Sequence, residues 1–106
     1  MNKSVLLIPH YNNPMGLISS IASIQASEKI DIVVVDDGSI NRKIDETATR
    51  NALKSKGEII YLYLKINEGI EYALNAGLDY IVKKQQYQFI ARLDCGDICL
   101  GNRFHI

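Results

Sequence analysis

The sequence predicts an α/β fold built on a mostly parallel sheet, and three observations lead to that prediction. Short apolar runs alternate with longer amphipathic segments, in the order β-α-β-α-β-α-β along 106 residues. Two of these runs, 32–35 and 89–93, lead directly into the acidic clusters 36–39 (Asp-Asp-Gly-Ser) and 94–97 (Asp-Cys-Gly-Asp). Strands separated by helices of this length pair in parallel, through right-handed crossovers. Because ligands of open α/β sheets bind at the carboxyl ends of strands, we expect both clusters to share one acidic site.

Four apolar runs predict the strands, at residues 4–8, 30–35, 58–64 and 88–93. Short runs rich in β-branched residues and bounded by turn residues are typical of strands buried in a parallel sheet. We expect Pro9 to stop the first strand.

Two segments between the first three strands predict helices. Asn13 suits the N-cap of the first helix and Pro14 its first turn, where the missing N–H of proline costs nothing. Residues 41–56 have a thin apolar stripe and predict a surface helix with Gly57 as its C-cap.

The third helix has the clearest apolar face, and we expect it to begin at Asn67. Its face consists of Ile70, Ala73, Leu74, Gly77, Leu78 and Ile81. Glycine lowers helix stability relative to alanine, so Gly77 indicates a close approach of this helix to the sheet. Residues 98–106 predict no closing element, so we expect residues 1–106 to be one amino-terminal portion of a larger domain.

Composition argues against several classes of protein. The formal net charge is zero, which gives no electrostatic reason to expect nucleic acid as a partner. Cys95 and Cys99 are too few for a disulfide framework and suit free thiols of a cytoplasmic protein. No signal peptide is evident, and no apolar stretch approaches the length needed to span a membrane.

The turn after the first strand differs from the turns that cradle phosphates. A dinucleotide fold and a P-loop both need a glycine-rich turn there. Residues 9–13 instead read Pro-His-Tyr-Asn-Asn, which suits stacking against a base better. His10 fits a loop position better than a catalytic one, since no serine or cysteine nucleophile is evident beside it.

Four groups of residues, taken in order, resemble the family 2 glycosyltransferases. They are residues 5–12 (Val-Leu-Leu-Ile-Pro-His-Tyr-Asn), 34–39 (Val-Val-Asp-Asp-Gly-Ser), 67–69 with 75–77 (Asn-Glu-Gly and Asn-Ala-Gly), and 92–97 with 103–104 (Arg-Leu-Asp-Cys-Gly-Asp and Arg-Phe). The resemblance covers essentially the whole chain. It implies a GT-A fold, which is Rossmann-like, truncated before the acceptor half.

The resemblance implies the nucleotide-binding part of an enzyme that uses a nucleotide-diphosphate sugar as donor. It implies that Pro9, Tyr11 and Asp37 contact the base, and that the second acidic cluster holds ribose and a divalent metal. The nucleotide-binding residues would then be Pro9, Tyr11, Asp37 and Asp94, and the metal ligands Asp94 and Asp97. Oxygen ligands of this kind favour Mg²⁺ or Mn²⁺.

Gly96 departs from the family pattern. The family usually reads Asp-x-Asp-Asp, with the metal on the third position, and a glycine has no side chain to coordinate it. Either Asp94 and Asp97 hold the metal between them, or the metal binds weakly. We favour a shifted site over a lost one.

The resemblance also implies an inverting mechanism whose general base lies beyond Ile106, on an acceptor-binding half. We therefore expect this chain to bind donor without transferring sugar by itself. The expected partners are the nucleotide-diphosphate sugar and a sugar or lipid-linked acceptor, in polysaccharide or glycolipid assembly. The expected location is the cytoplasm or its membrane surface. Apolar surface that the missing half would cover also predicts self-association.

Simpler interpretations of the site residues stay open. Asp36 and Asp37 are also typical of residues that shape a turn at a strand end, and we expect Asp37 to contribute little to folding. Tyr11 also suits a surface loop.

Two other functional hypotheses stay open. Cys95, Cys99 and His105 are residue types that bind zinc, although their spacing is irregular. A non-catalytic α/β interaction or nucleotide-binding module is the alternative function, because Gly96 weakens the metal motif. A receiver-type phosphoacceptor domain fits less well. The acidic pair of such a domain follows the first strand, whereas Asp36 and Asp37 follow the second strand of this chain.

Overall fold

The computed structural model describes residues 3–99, which form one four-stranded sheet with helices on both faces. The strands are β1 (Ser4–His10), β2 (Ile30–Asp36), β3 (Ile59–Tyr63) and β4 (Phe89–Arg92). The helices are α1 (Pro14–Ala22), α2 (Glu46–Ala52) and α3 (Ile70–Lys84). All neighbouring strands are parallel, so the predicted Rossmann-like α/β fold is confirmed.

The order of the strands places both acidic clusters beside β1. The sheet order is β3-β2-β1-β4, so β1 has β2 on one side and β4 on the other. The chain runs from β1 outward to β2 and β3, then returns to the opposite side of β1. Such a reversal of strand order opens a crevice at the carboxyl edge of the sheet, where ligands bind.

Successive side chains of a strand point to opposite faces of the sheet, and this alternation divides the core into two layers. The layer under α1 and α2 contains Leu6, Ile8, Leu17, Ile21, Ile24, Ile30, Ile32, Val34, Leu93 and Cys99. The layer under α3 contains Val5, Leu7, Val33, Val35, Ala73 and Ile81. Because side chains alternate between faces, Pro9 and Asp37 extend the α3 face of the sheet at its carboxyl edge.

The sheet approaches α3 closely at Gly77, as the sequence predicts. A Cβ atom at this position would lie 2.9 Å from Val35 Cγ2 and would collide with Leu7 Cδ1. The buried face of the helix is narrower than predicted, because its buried residues are Ala73, Gly77 and Ile81.

The second helix is shorter than predicted, and the assignment of Gly57 as its C-cap was wrong. Only Glu46–Ala52 is helical, with Asp45 as the N-cap, so the helix ends well before Gly57. A side chain at position 57 would collide with the carbonyl oxygen of Ile30. Glycine at this position therefore lets the backbone before β3 lie against β2.

The first strand continues through Pro9 to His10, so the expectation that Pro9 stops it was wrong. The β1–β4 ladder ends at Leu7, whose carbonyl accepts the N–H of Leu93 at 3.1 Å. The thiol of Cys95 donates to the carbonyl of Pro9, at 3.2 Å, on the same side. The backbone nitrogen of Pro9 therefore faces the side of β4, beyond the last pair of the β1–β4 ladder. No N–H donor is required at that position, so proline is tolerated there.

Two surface features of the described residues bear on the predicted partners. Phe89 and Ile90 of β4 are each 45% exposed, and self-association through such apolar surface stays a prediction. Between residues 3 and 99, no helix combines the length and apolar character needed to cross a bilayer.

Candidate functional site

A pocket of about 240 Å³ opens at the carboxyl ends of β1 and β2, on the face covered by α3. Its lining residues are Pro9, His10, Tyr11, Asp37, Asn67, Gly69, Ile70 and Ala73. The structure therefore brings together three of the four predicted nucleotide-binding residues, and Asp94 is the one that does not line the pocket. The volume is slightly below the range of about 300–1,000 Å³ for complete ligands, which suits one part of a ligand such as a base.

Two other concave surfaces of the described residues lie away from the carboxyl edge of the sheet. One groove of about 420 Å³ runs between α2 and β3, and another of similar volume lies before β2. Neither contains a predicted site residue.

The carboxylate of Asp37 joins β2 to the segment before α3. Oδ1 accepts the N–H of Glu68 at 3.0 Å, and Oδ2 accepts the N–H of Gly69 at 3.0 Å. Oδ2 also accepts Nδ2 of Asn67 at 2.9 Å. Asp37 is 4% exposed and its three bonds are partly buried, which favours a larger contribution to folding than its place at a strand end suggested.

Asn67 is a positioning residue and does not start the third helix, which begins at Ile70 with Gly69 as its N-cap. Its amide also donates to the backbone carbonyl of Asp37, at 3.2 Å. Because Asp37 bonds to residues 67–69, directly before α3, its negative charge lies at the amino terminus of that helix, where the helix dipole stabilises it.

Asp37 retains acceptor capacity for a ligand. A carboxylate offers about four lone-pair positions, and the three bonds described above occupy three of them. The remaining position is on Oδ1, and it can accept one N–H or O–H donor. A base with a ring N–H is a ligand of that kind.

Asp36 points to the opposite face of the sheet and is structural. It is buried, its Oδ1 lies 2.8 Å from Nδ1 of His10, and its Oδ2 accepts the N–H of Ser39 at 3.0 Å. Nε2 of His10 accepts the N–H of Asn13 at 3.1 Å, so the imidazole proton is on Nδ1 and is donated to Asp36. His10 thus ends β1 as a buried structural residue, and its interpretation as a loop residue was wrong.

Asn12 connects the turn after β1 to the turn after β2. Its Oδ1 accepts the N–H groups of Ile40 at 3.1 Å and Arg42 at 3.3 Å. Its own N–H donates to Oγ of Ser39 at 2.8 Å. Asn12 has a φ of 50°, a conformation that asparagine adopts more readily than most residues. This arrangement holds Tyr11, which is 44% exposed, at the mouth of the pocket.

The second acidic cluster forms a turn held by Ser20 of α1. Oγ of Ser20 donates to the carbonyl of Asp97 at 2.8 Å and accepts the N–H of Gly96 at 2.9 Å. The guanidinium of Arg92 donates to the carboxylate of Asp94, from Nε to Oδ1 at 2.9 Å and from Nη2 to Oδ2 at 3.3 Å. The roles of Asp94 and Asp97 in binding nucleotide and metal stay predictions.

The donor set of this turn fits a divalent ion that is shared with a substrate. Across residues 3–99, no three His, Cys, Asp or Glu side chains converge as a metal site would require. Mg²⁺ is often held by one or two carboxylates together with substrate phosphates and water. Asp94 and Asp97 supply two carboxylates, which fit that kind of site and not a cage made by protein alone.

The two cysteines have structural surroundings. Burial, and secondly the charge of Asp94, raises the pKa of Cys95 to about 12, so its thiol is unreactive at neutral pH. Cys99 is buried in the layer under α1 and α2. His105 of the possible zinc site lies outside the described residues, as do positions 103–104 of the fourth motif.

The comparison with known families agrees with the fold and the position of the pocket. The chain matches the model of the family described as Glycosyl transferase family 2 over residues 5–105. The chain therefore belongs to glycosyl transferase family 2, as its motifs predict.

One curated relative is the amylovoran biosynthesis glycosyltransferase AmsE of Erwinia amylovora. This chain is 34% identical to it over an alignment of 103 residues, and the alignment covers 93% of this chain and 36% of the relative. The chain thus spans about a third of the length of that protein.

Proposed function

We propose that this chain is the donor-binding part of a glycosyltransferase that uses a nucleotide-diphosphate sugar. The observation that carries the proposal is the pocket in which Pro9, Tyr11 and Asp37 meet at the carboxyl edge of the sheet. Membership of the family and the printed function of the relative both support assembly of a polysaccharide.

The pocket suits a nucleobase. Tyr11 supplies an aromatic face, and Pro9, Ile70 and Ala73 supply apolar walls. The remaining acceptor position on Asp37 would bind one N–H of the base and fix its orientation. His10 offers the ligand no hydrogen bond, since both of its ring nitrogens already have partners.

The second acidic cluster would serve the ribose and the diphosphate. Carboxylates and a diphosphate repel each other, so Asp94 and Asp97 can face the phosphates only through a cation. A bound Mg²⁺ or Mn²⁺ would neutralise charge that develops on the leaving diphosphate.

The remaining parts of the activity belong to the same proposal. They are inversion at the transferred sugar, a general base outside residues 1–106, and a sugar or lipid-linked acceptor. The proposed location is the cytoplasmic face of a membrane.

Isothermal titration of the full chain with UDP, GDP and dTDP, with and without Mn²⁺, tests the proposal. We expect at least one of these nucleotides to bind. A sample that is folded by circular dichroism and binds none of them would instead support a non-catalytic α/β module.

The metal prediction is tested by Gly96→Asp. Gly96 has a φ of +94°, and among residues 3–99 no atom would lie within 4 Å of a Cβ there, so aspartate fits at a strain of about 1–2 kcal/mol. If Asp94 and Asp97 hold the ion, wild-type nucleotide affinity rises with Mn²⁺ and falls on chelation, and Gly96→Asp strengthens that dependence.

Asp97→Asn is the matched variant for this test, because an amide lacks the charge that attracts the ion. We expect it to abolish the dependence on metal. If only Gly96→Asp responds to Mn²⁺, the natural site has lost its metal. If no variant responds, the acidic turn does not face the diphosphate.

A further inference from the structure

We infer that Arg92 binds the diphosphate of the donor, and that it leaves Asp94 for the phosphates when the nucleotide arrives. This inference rests on the proposed function, because it requires a nucleoside diphosphate whose base occupies the pocket.

The position of Arg92 in the sheet supports this role. Within the four strands of residues 3–99, Arg92 is the only lysine or arginine. It pairs with Leu7 of β1, and strand alternation puts its side chain on the same face as Pro9 and Asp37. Adjacent strands are about 4.8 Å apart, so a side chain as long as arginine reaches the carboxyl edge beside the pocket.

The geometry of the pair shows what Arg92 can recognise. Its guanidinium contacts both carboxylate oxygens of Asp94 in a fork, at 2.9 and 3.3 Å. The same planar fork matches two oxygens of a phosphate group. The side chains of Arg92 and Asp94 are 50% and 45% exposed, so the pair contributes little to folding and can be exchanged.

The charges at this edge give the exchange its driving force. Asp37, Asp94 and Asp97 place carboxylates on or beside the path of an anionic diphosphate, which they would repel. A guanidinium beside the pocket offsets that repulsion and orients the phosphates. When Arg92 moves to the phosphates, it also frees the carboxylate of Asp94 for a shared cation or the ribose.

A different explanation exists for an arginine at this position. Charged residues on an exposed strand discourage pairing with another chain. That role would make Arg92 affect self-association and leave nucleotide affinity unchanged, so binding measurements separate the two explanations.

The test compares Arg92→Gln and Arg92→Lys with wild type by titration. The ligands are UDP, GDP and dTDP and, for the one that binds most tightly, the corresponding nucleoside. We expect Arg92→Gln to weaken binding of the diphosphate by about tenfold or more and to leave nucleoside binding unchanged. Arg92→Lys keeps the charge and loses the fork, so its affinity should be intermediate.

Lys83→Gln is the matched control, because Lys83 is an exposed cation of α3 that is paired with Asp79 away from the pocket. It should not change nucleotide binding. Equal diphosphate affinity of Arg92→Gln and wild type would overturn the inference and leave the proposed function standing. An equal loss for nucleoside and diphosphate would also overturn it, since Arg92 would then act through the shape of the pocket.

Two further outcomes are decisive. If wild type binds none of the nucleotides, the inference and the proposed function both fail. If Arg92→Gln does not fold, the diphosphate affinity of Arg92→Lys decides. An affinity equal to that of wild type would overturn the requirement for the two-bond contact of the guanidinium.

Discussion

Replacing Gly38 by alanine is expected to lower the free energy of unfolding by about 3–5 kcal/mol and to abolish nucleotide binding. Gly38 has a φ of +74°. A Cβ atom there would lie 2.5 Å from the carbonyl carbon of Ile66 and 2.6 Å from the backbone nitrogen of Asn67. Because these are backbone atoms, no change of rotamer relieves the contact. The segment that bonds to Asp37 must move away, and the pocket loses one wall.

Gly96→Ala is the matched control for Gly38→Ala. Gly96 also has a positive φ, of +94°, but no atom of the described residues would lie within 4 Å of a Cβ there. Its replacement should cost only the backbone strain, about 1–2 kcal/mol. Chemical denaturation of both variants measures the difference. Equal losses of stability would show that the close approach at Gly38 is unimportant.

Replacing Asp37 by alanine is expected to reduce both stability and nucleotide affinity. The change leaves the partly buried N–H groups of Glu68 and Gly69 and the amide of Asn67 without their acceptor. We expect a loss of about 2–4 kcal/mol in stability, and a loss of about 1–3 kcal/mol in the free energy of nucleotide binding. Denaturation gives the first quantity, and titration corrected for the folded fraction gives the second.

Asp79→Ala is the control for Asp37→Ala. Asp79 is an exposed carboxylate of α3, paired with Lys83 at 2.9 Å. Its removal should change stability by less than about 0.5 kcal/mol and leave binding unaltered. If Asp37→Ala loses stability while affinity per folded molecule stays the same, Asp37 is structural only.

The order of helices and strands could be predicted because it depends on local patterns. Apolar runs ending in turn residues located all four strands, and Gly77 indicated the close approach of α3. The weak apolar stripe at residues 41–56 and the glycine after it were misleading. Gly57 resembled a helix cap, but glycine is required there because the backbone lies against Ile30 of a neighbouring strand. Such a contact leaves no periodic signal in the sequence.

The partners of the site residues could not be predicted, because they lie far apart along the chain. Asp37 is held by residues 67–69, and Asp36 by His10 at the end of another strand. The alternation of side chains along a strand gave part of the answer. It puts Asp36 and Asp37 on opposite faces of the sheet, so the two carboxylates could not share one set of partners. Extending β1 past Pro9 would likewise have placed His10 in the core.

Nuclear magnetic resonance of the ¹⁵N-labelled chain during titration with UDP, GDP and dTDP tests the central claim most directly. The account predicts that amide shifts change mainly at residues 10–13, 37–39 and 67–70, and that a diphosphate also shifts residues 92–97. Changes confined to the groove between α2 and β3, or no changes in a folded sample, would contradict the placement of a nucleotide in this pocket.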